Sequence, residues 1–98
     1  MVNEMKNINK IKEYFKTGSV YKNRFGELTF YKDNDNAYEI EDMLSEIVLD
    51  GDEMNIDLKG EKLLRDEGFR VIPTGTEDGE LLCVKVIMDD KTFVVGGI

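Results

Sequence analysis

The sequence predicts an α+β fold: an N-terminal helix, an antiparallel sheet of five or more strands, and a short helix near residues 60–67. Three observations carry that prediction. Apolar residues recur at three- and four-residue steps near the N-terminus. Short apolar runs punctuated by turn residues occupy the last third of the chain. A second, shorter helical pattern closes on a glycine at Gly68. The 98 residues, 41% of them apolar, make one domain spanning 1–98. A chain of this length buries about 60–65% of its unfolded surface, so its core is small and packing must close it.

Residues 3–16 read as a helix, with Met5, Ile8, Ile11 and Phe15 on one face, Asn3 as a cap and Gly18 past the end. Lysines fill the rest of its circumference. Residues 19–23 and 27–32 read as a hairpin turning through Arg24-Phe25-Gly26, with Leu28 and Phe30 on one side and Glu27, Thr29 and Tyr31 on the other. Asp33-Asn34-Asp35-Asn36 is a turn signal. Beyond it two readings stand. Ile40, Met43, Leu44, Ile47 and Val48 fit a helix face, whereas 37–41 alternates as a strand with Tyr38 and Ile40 together. Both periods turn Glu39 and Glu46 away from the apolar set. Asp50-Gly51, between two apolar runs, signals a hairpin. Residues 60–67 form the short helix, with Leu63 and Leu64 inward. A strand over 69–72 is expected to stop at Pro73, followed by a loop over 74–79. The longest strand, 80–88, turns at Asp89-Asp90 into a last strand over 91–95.

Charge is the strongest asymmetry. The net charge is −8, yet residues 1–32 hold seven Lys/Arg and three acids. Residues 33–58 hold ten acids and no base, and residues 59–98 hold six bases and eight acids. Nine residues of the acidic tract are the candidate partner-binding surface: Asp33, Asp35, Glu39, Glu41, Asp42, Glu46, Asp50, Asp52 and Glu53. On a helix, acids three or four residues apart sit about 5–6 Å from one another. On a strand, alternate acids sit about 6.5–7 Å apart. Both steps are close to the spacing of neighbouring phosphates, so the tract suits a basic groove built for nucleic acid.

Other chemistries fit poorly. The chain has no histidine, so it contains no Ser-His or Cys-His pair. Its one cysteine, Cys83, permits no internal disulfide and reads as a small apolar strand residue. A calcium loop counted from Asp33 puts Tyr38 where the glycine belongs and Leu44 where the bidentate glutamate belongs. Counted from Asp50, it puts Met54 and Asn55 at the fifth and sixth places. Gly75 and Gly79 lie in a loop without a phosphate-binding lysine. The expectation is therefore a non-enzymatic protein with no metal and no cofactor. The acidic balance also opposes direct nucleic-acid binding. No apolar run reaches the length of a membrane span and no secretory signal is visible, so a cytoplasmic protein without membrane association is expected.

In size, acidity and lack of catalytic groups, the chain resembles small phage-encoded inhibitors of host defence, such as anti-CRISPR proteins; the likeness is one of composition. That resemblance implies a stoichiometric inhibitor that mimics nucleic acid and occupies the groove of a host nuclease. The alternative is a non-mimic interaction, assembly or regulatory module working through an apolar patch or a sheet edge.

Overall fold

A computed structural model describes residues 2–50, 55–75 and 81–96, with side chains from residue 6 onward. The elements run α1 (Val2–Thr17), β1 (Val20–Lys22), β2 (Leu28–Phe30), α2 (Asp35–Val48), β3 (Leu49–Asp50), β4 (Asn55–Ile56), α3 (Leu58–Asp66), β5 (Arg70–Gly75), β6 (Leu81–Met88) and β7 (Lys91–Gly96). This is the expected α+β class, with the N-terminal helix preceding a five-stranded sheet of order β1-β2-β7-β6-β5.

The sheet is mixed rather than purely antiparallel. Three pairings are antiparallel, but β2 lies parallel to β7, with Leu28 opposite Lys91. A parallel pair needs a long crossover, and here the chain between β2 and β7 supplies it, running through two helices and the remaining strands. β3 and β4 form a separate two-stranded ribbon, as the Asp50-Gly51 signal suggests, although the turn itself lies outside the described residues.

The two readings of 38–49 resolve to helix as far as Val48, with Leu49 opening β3, and the turn signal explains why. Asn34 caps α2, its side-chain oxygen accepting a hydrogen bond from the Ala37 N–H at 2.9 Å. Ala37, Ile40, Leu44, Ile47 and Val48 are then buried on one face. α3 is capped in the same way by Asp57, which accepts from Lys59 and Gly60 N–H groups. After it, Gly68 takes the left-handed conformation at φ +97°.

The expected stop at Pro73 does not occur. β5 continues through Pro73 to Gly75, with Pro73 opposite Val84. β5 is an edge strand, and an edge tolerates a residue that cannot donate to a ladder. Thr74 and Gly75 therefore belong to the strand, while residues 76–79 of the expected loop, and residue 80 at the start of the next expected strand, lie outside the described residues.

All three helices contribute to one core against one face of the sheet. Ile8, Ile11 and Phe15 from α1, Leu44 and Val48 from α2, and Leu64 from α3 join Val71, Val84, Val86, Phe93 and Val95. Phe15 lies edge-on to Phe30 at 4.7 Å and to Phe69 at 5.3 Å between ring centres. Lys91 fastens α1 to the sheet by donating from Nζ to the carbonyl oxygen of Phe15 at 2.7 Å, in the helix's last turn. The opposite sheet face carries Tyr21, Thr29, Thr92, Lys85 and Ile72, and among the described residues no helix covers it.

Candidate acidic interaction surface

The helical period of α2 sorts its acids. With the apolar residues turned into the core, Asp35, Glu39, Asp42 and Glu46 all face solvent. At 3.6 residues per turn they fall within about 60° of arc and span about 16 Å of helix axis. Asp35 in the first turn also suits the positive end of the helix dipole. Tyr38, 55% exposed, sits beside the stripe. The strand reading paired Tyr38 with Ile40, but a helix separates residues two apart, so Tyr38 leaves the core and joins the acidic side.

The other candidates take different places. Asp33 is exposed just before the cap, and Asp50 is exposed on β3 beyond the helix. Glu41 is half-buried and held by Lys32, whose Nζ lies 2.8 Å from its carboxylate. It therefore stands apart from the exposed stripe. Asp52 and Glu53 lie outside the described residues.

Among the described residues, one cation reaches the stripe. Lys10 of α1 lies 3.3 Å from the Glu39 carboxylate, with more than half of each side chain exposed. Such an exposed pair contributes about 0–1 kcal/mol and exchanges readily. A second lysine of α1, Lys12, turns elsewhere and meets Glu67 at 2.6 Å. Among the described residues, the basic first helix thus forms one ion pair with the acidic tract instead of cancelling it. Among the described residues, no cation lies within ion-pair distance of Asp35, Asp42 or Glu46.

Where α1 meets the start of α2, an open cleft of about 240 Å³ lies between Lys10, Glu13, Tyr14, Thr17, Asn36, Glu39 and Ile40. Its walls mix carboxylates, one ammonium group and a tyrosine ring beside an isoleucine. Among the described residues, no group of three or more His, Cys, Asp or Glu is arranged to hold a metal ion. No described helix is long and apolar enough to cross a membrane.

A second polar cluster lies on the uncovered sheet face. Asn23 Nδ2 donates to Glu27 Oε1 at 3.1 Å, and Lys85 Nζ approaches Glu27 Oε2 at 3.3 Å. These contacts hold the Glu27 carboxyl below its ordinary value of 4.5, the Asn23 hydrogen bond contributing most and Lys85 next. Nearby, the rings of Tyr21 and Tyr31 stand 4.7 Å apart, 40% and 44% exposed. Their shared face was readable from alternation within the hairpin, but their exposure was not, because it depends on which sheet face the helices cover. Compared with known proteins, the chain matches no family model, no curated protein and no solved structure.

Proposed function

We propose that this chain is a small non-enzymatic binding protein whose acidic α2 face occupies a basic, nucleic-acid-binding groove on a partner protein. One observation carries the reading: Asp35, Glu39, Asp42 and Glu46 form an exposed stripe that, among the described residues, is opposed only by Lys10. Charged surfaces generally mix signs, because crowded like charges destabilise the compact state. A stripe left unmixed therefore suggests use. Its carboxylates follow one another at about 5–6 Å, a step close to that between phosphates on one strand. A partner's lysines and arginines would be drawn to it from a distance and held in a salt-sensitive way.

The compositional resemblance to phage-encoded inhibitors narrows the class to a stoichiometric inhibitor of a host defence nuclease, acting in the cytoplasm. A second reading, a non-mimic interaction or assembly module, draws support from the exposed tyrosine pair on the sheet. Capture from bacterial lysate at low and high salt separates the two. The mimic should retain a nucleic-acid-binding protein and lose it as salt rises. The triple variant Glu39→Lys, Asp42→Lys, Glu46→Lys should retain none. Capture that survives both treatments overturns the mimic reading and favours the second.

A further inference from the structure

The sheet face that no described helix covers has two unlike halves. On the β1–β2 side stand Tyr21 and Tyr31, in tilted ring contact and about two-fifths exposed. On the β6–β5 side stand Lys85 and exposed Arg70, placed outward because each lies next in sequence to inward Val84, Val86 or Val71. The central strand β7 separates the halves and presents Val94 between them, in a cleft shared with Tyr21 and Tyr31. Thr29 opposite Tyr21 and Ile87 opposite Arg70 place all five side chains on the same face.

We propose that this face is a self-association surface whose occupant is a second copy of the same chain. A two-fold axis along β7 exchanges β1 with β5 and β2 with β6. The tyrosines of each copy then lie over Lys85 and Arg70 of the other, while the two Val94 side chains meet at the axis. Ammonium and guanidinium groups over tyrosine rings attract through the ring quadrupole, and the contact occurs twice by symmetry. The charge layout favours the same arrangement. The acidic stripe lies on α2, in the helical layer, so pairing through the sheets keeps the two stripes apart. The sheet face itself carries Lys85 paired with Glu27, and Arg70, with no unpaired acid among its described strand residues.

The edges of the sheet suit pairing less well. β5 contains Pro73, and β1 is only three residues long. Five strands about 4.8 Å apart and about 17 Å in mean length give a plane of about 400 Å² per copy. With side-chain relief, the pair approaches about 1,000 Å² in total, the lower limit of a specific interface. The dimer is accordingly weak and concentration-dependent. This inference does not rest on the acidic-stripe reading and stands or falls separately.

Sedimentation velocity on the full chain from about 10 µM to about 1 mM tests it, since that range brackets the affinity expected of so small an interface. The mass should rise from 11.3 kDa toward twice that value. Val94→Glu sets two carboxylates against each other at the axis and should stay monomeric throughout, with an unchanged far-UV spectrum. Tyr31→Ser and Arg70→Ala each remove one symmetric pair of contacts and should weaken association about tenfold. They decide the question should Val94→Glu fail to fold. A wild-type chain that stays monomeric overturns the proposal, as does association that Tyr31→Ser and Arg70→Ala leave intact.

Discussion

Gly60 of α3 lies so close to α2 that a Cβ built on it would stand 1.5 Å from the carbonyl oxygen of Ile47. That oxygen belongs to backbone near the end of a helix and cannot turn aside as a flexible side chain would. Alanine at position 60 must therefore push α3 away from α2. Its helix propensity favours alanine by about 1 kcal/mol, but the forced separation outweighs this. Gly60→Ala should destabilise by about 3 kcal/mol or more, at the upper end of overpacking costs. Urea unfolding followed by circular dichroism measures it, and a neutral result would mean that the two helices are not in this close contact.

The β6–β7 hairpin carries an opposite opportunity. Asp89 and Asp90 have φ of +53° and +64°, a conformation that most L-residues adopt at a cost. Two-residue hairpin loops of this kind favour Asn-Gly. Replacing Asp89-Asp90 by Asn-Gly should raise stability by about 0.5–1 kcal/mol, the relief of left-handed strain less the entropic cost of glycine. The urea midpoint should rise, with its slope unchanged.

Asn34 fixes where α2 begins and hence where the acidic stripe points. Asn34→Ala should cost about 1 kcal/mol, whereas Asn34→Asp keeps an acceptor and should cost little. Thermal unfolding of the two variants side by side distinguishes a capping role from simple tolerance at a turn.

Glu27 contributes a pH dependence. Its native value lies below the ordinary 4.5, so the unfolded chain binds that proton more tightly than the native one. The stability it contributes is complete above the unfolded value and is lost as pH falls through the lowered native value. Wild type should therefore exceed Glu27→Gln by a constant margin at neutral pH, and the margin should shrink below pH 4.5. A margin indifferent to pH would show that the carboxylate charge is not what Asn23 and Lys85 recognise.

Local physics made much of this fold readable in advance. The repeat Ile8, Ile11, Phe15 marked α1, and the alternation around Leu28 and Phe30 marked the first hairpin. Residues 38–49 were ambiguous because helix and strand both separate the acids from the apolar residues. The cap at Asn34 decides between them, and its oxygen serves a turn or a cap equally well until the helix is seen. Pro73 misled because its tolerance depends on β5 being an edge, which is a property of the whole sheet. The parallel contact of β2 with β7 joins residues more than sixty positions apart and leaves no local signal. The same is true of the site. Periodicity exposes Glu39 and Glu46, but only tertiary structure brings Lys10 to Glu39 across 29 positions or seats Glu41 against Lys32.

A nucleic-acid mimic must compete, through the α2 stripe, for a site that nucleic acid would otherwise fill. The direct measurement is elution: a partner captured from bacterial lysate at low salt is challenged with short duplex DNA or single-stranded RNA. The stripe predicts that nucleic acid releases the partner and that the Glu39→Lys, Asp42→Lys, Glu46→Lys variant never captures it. A partner that stays bound under excess nucleic acid, or that binds the triple variant equally well, contradicts it.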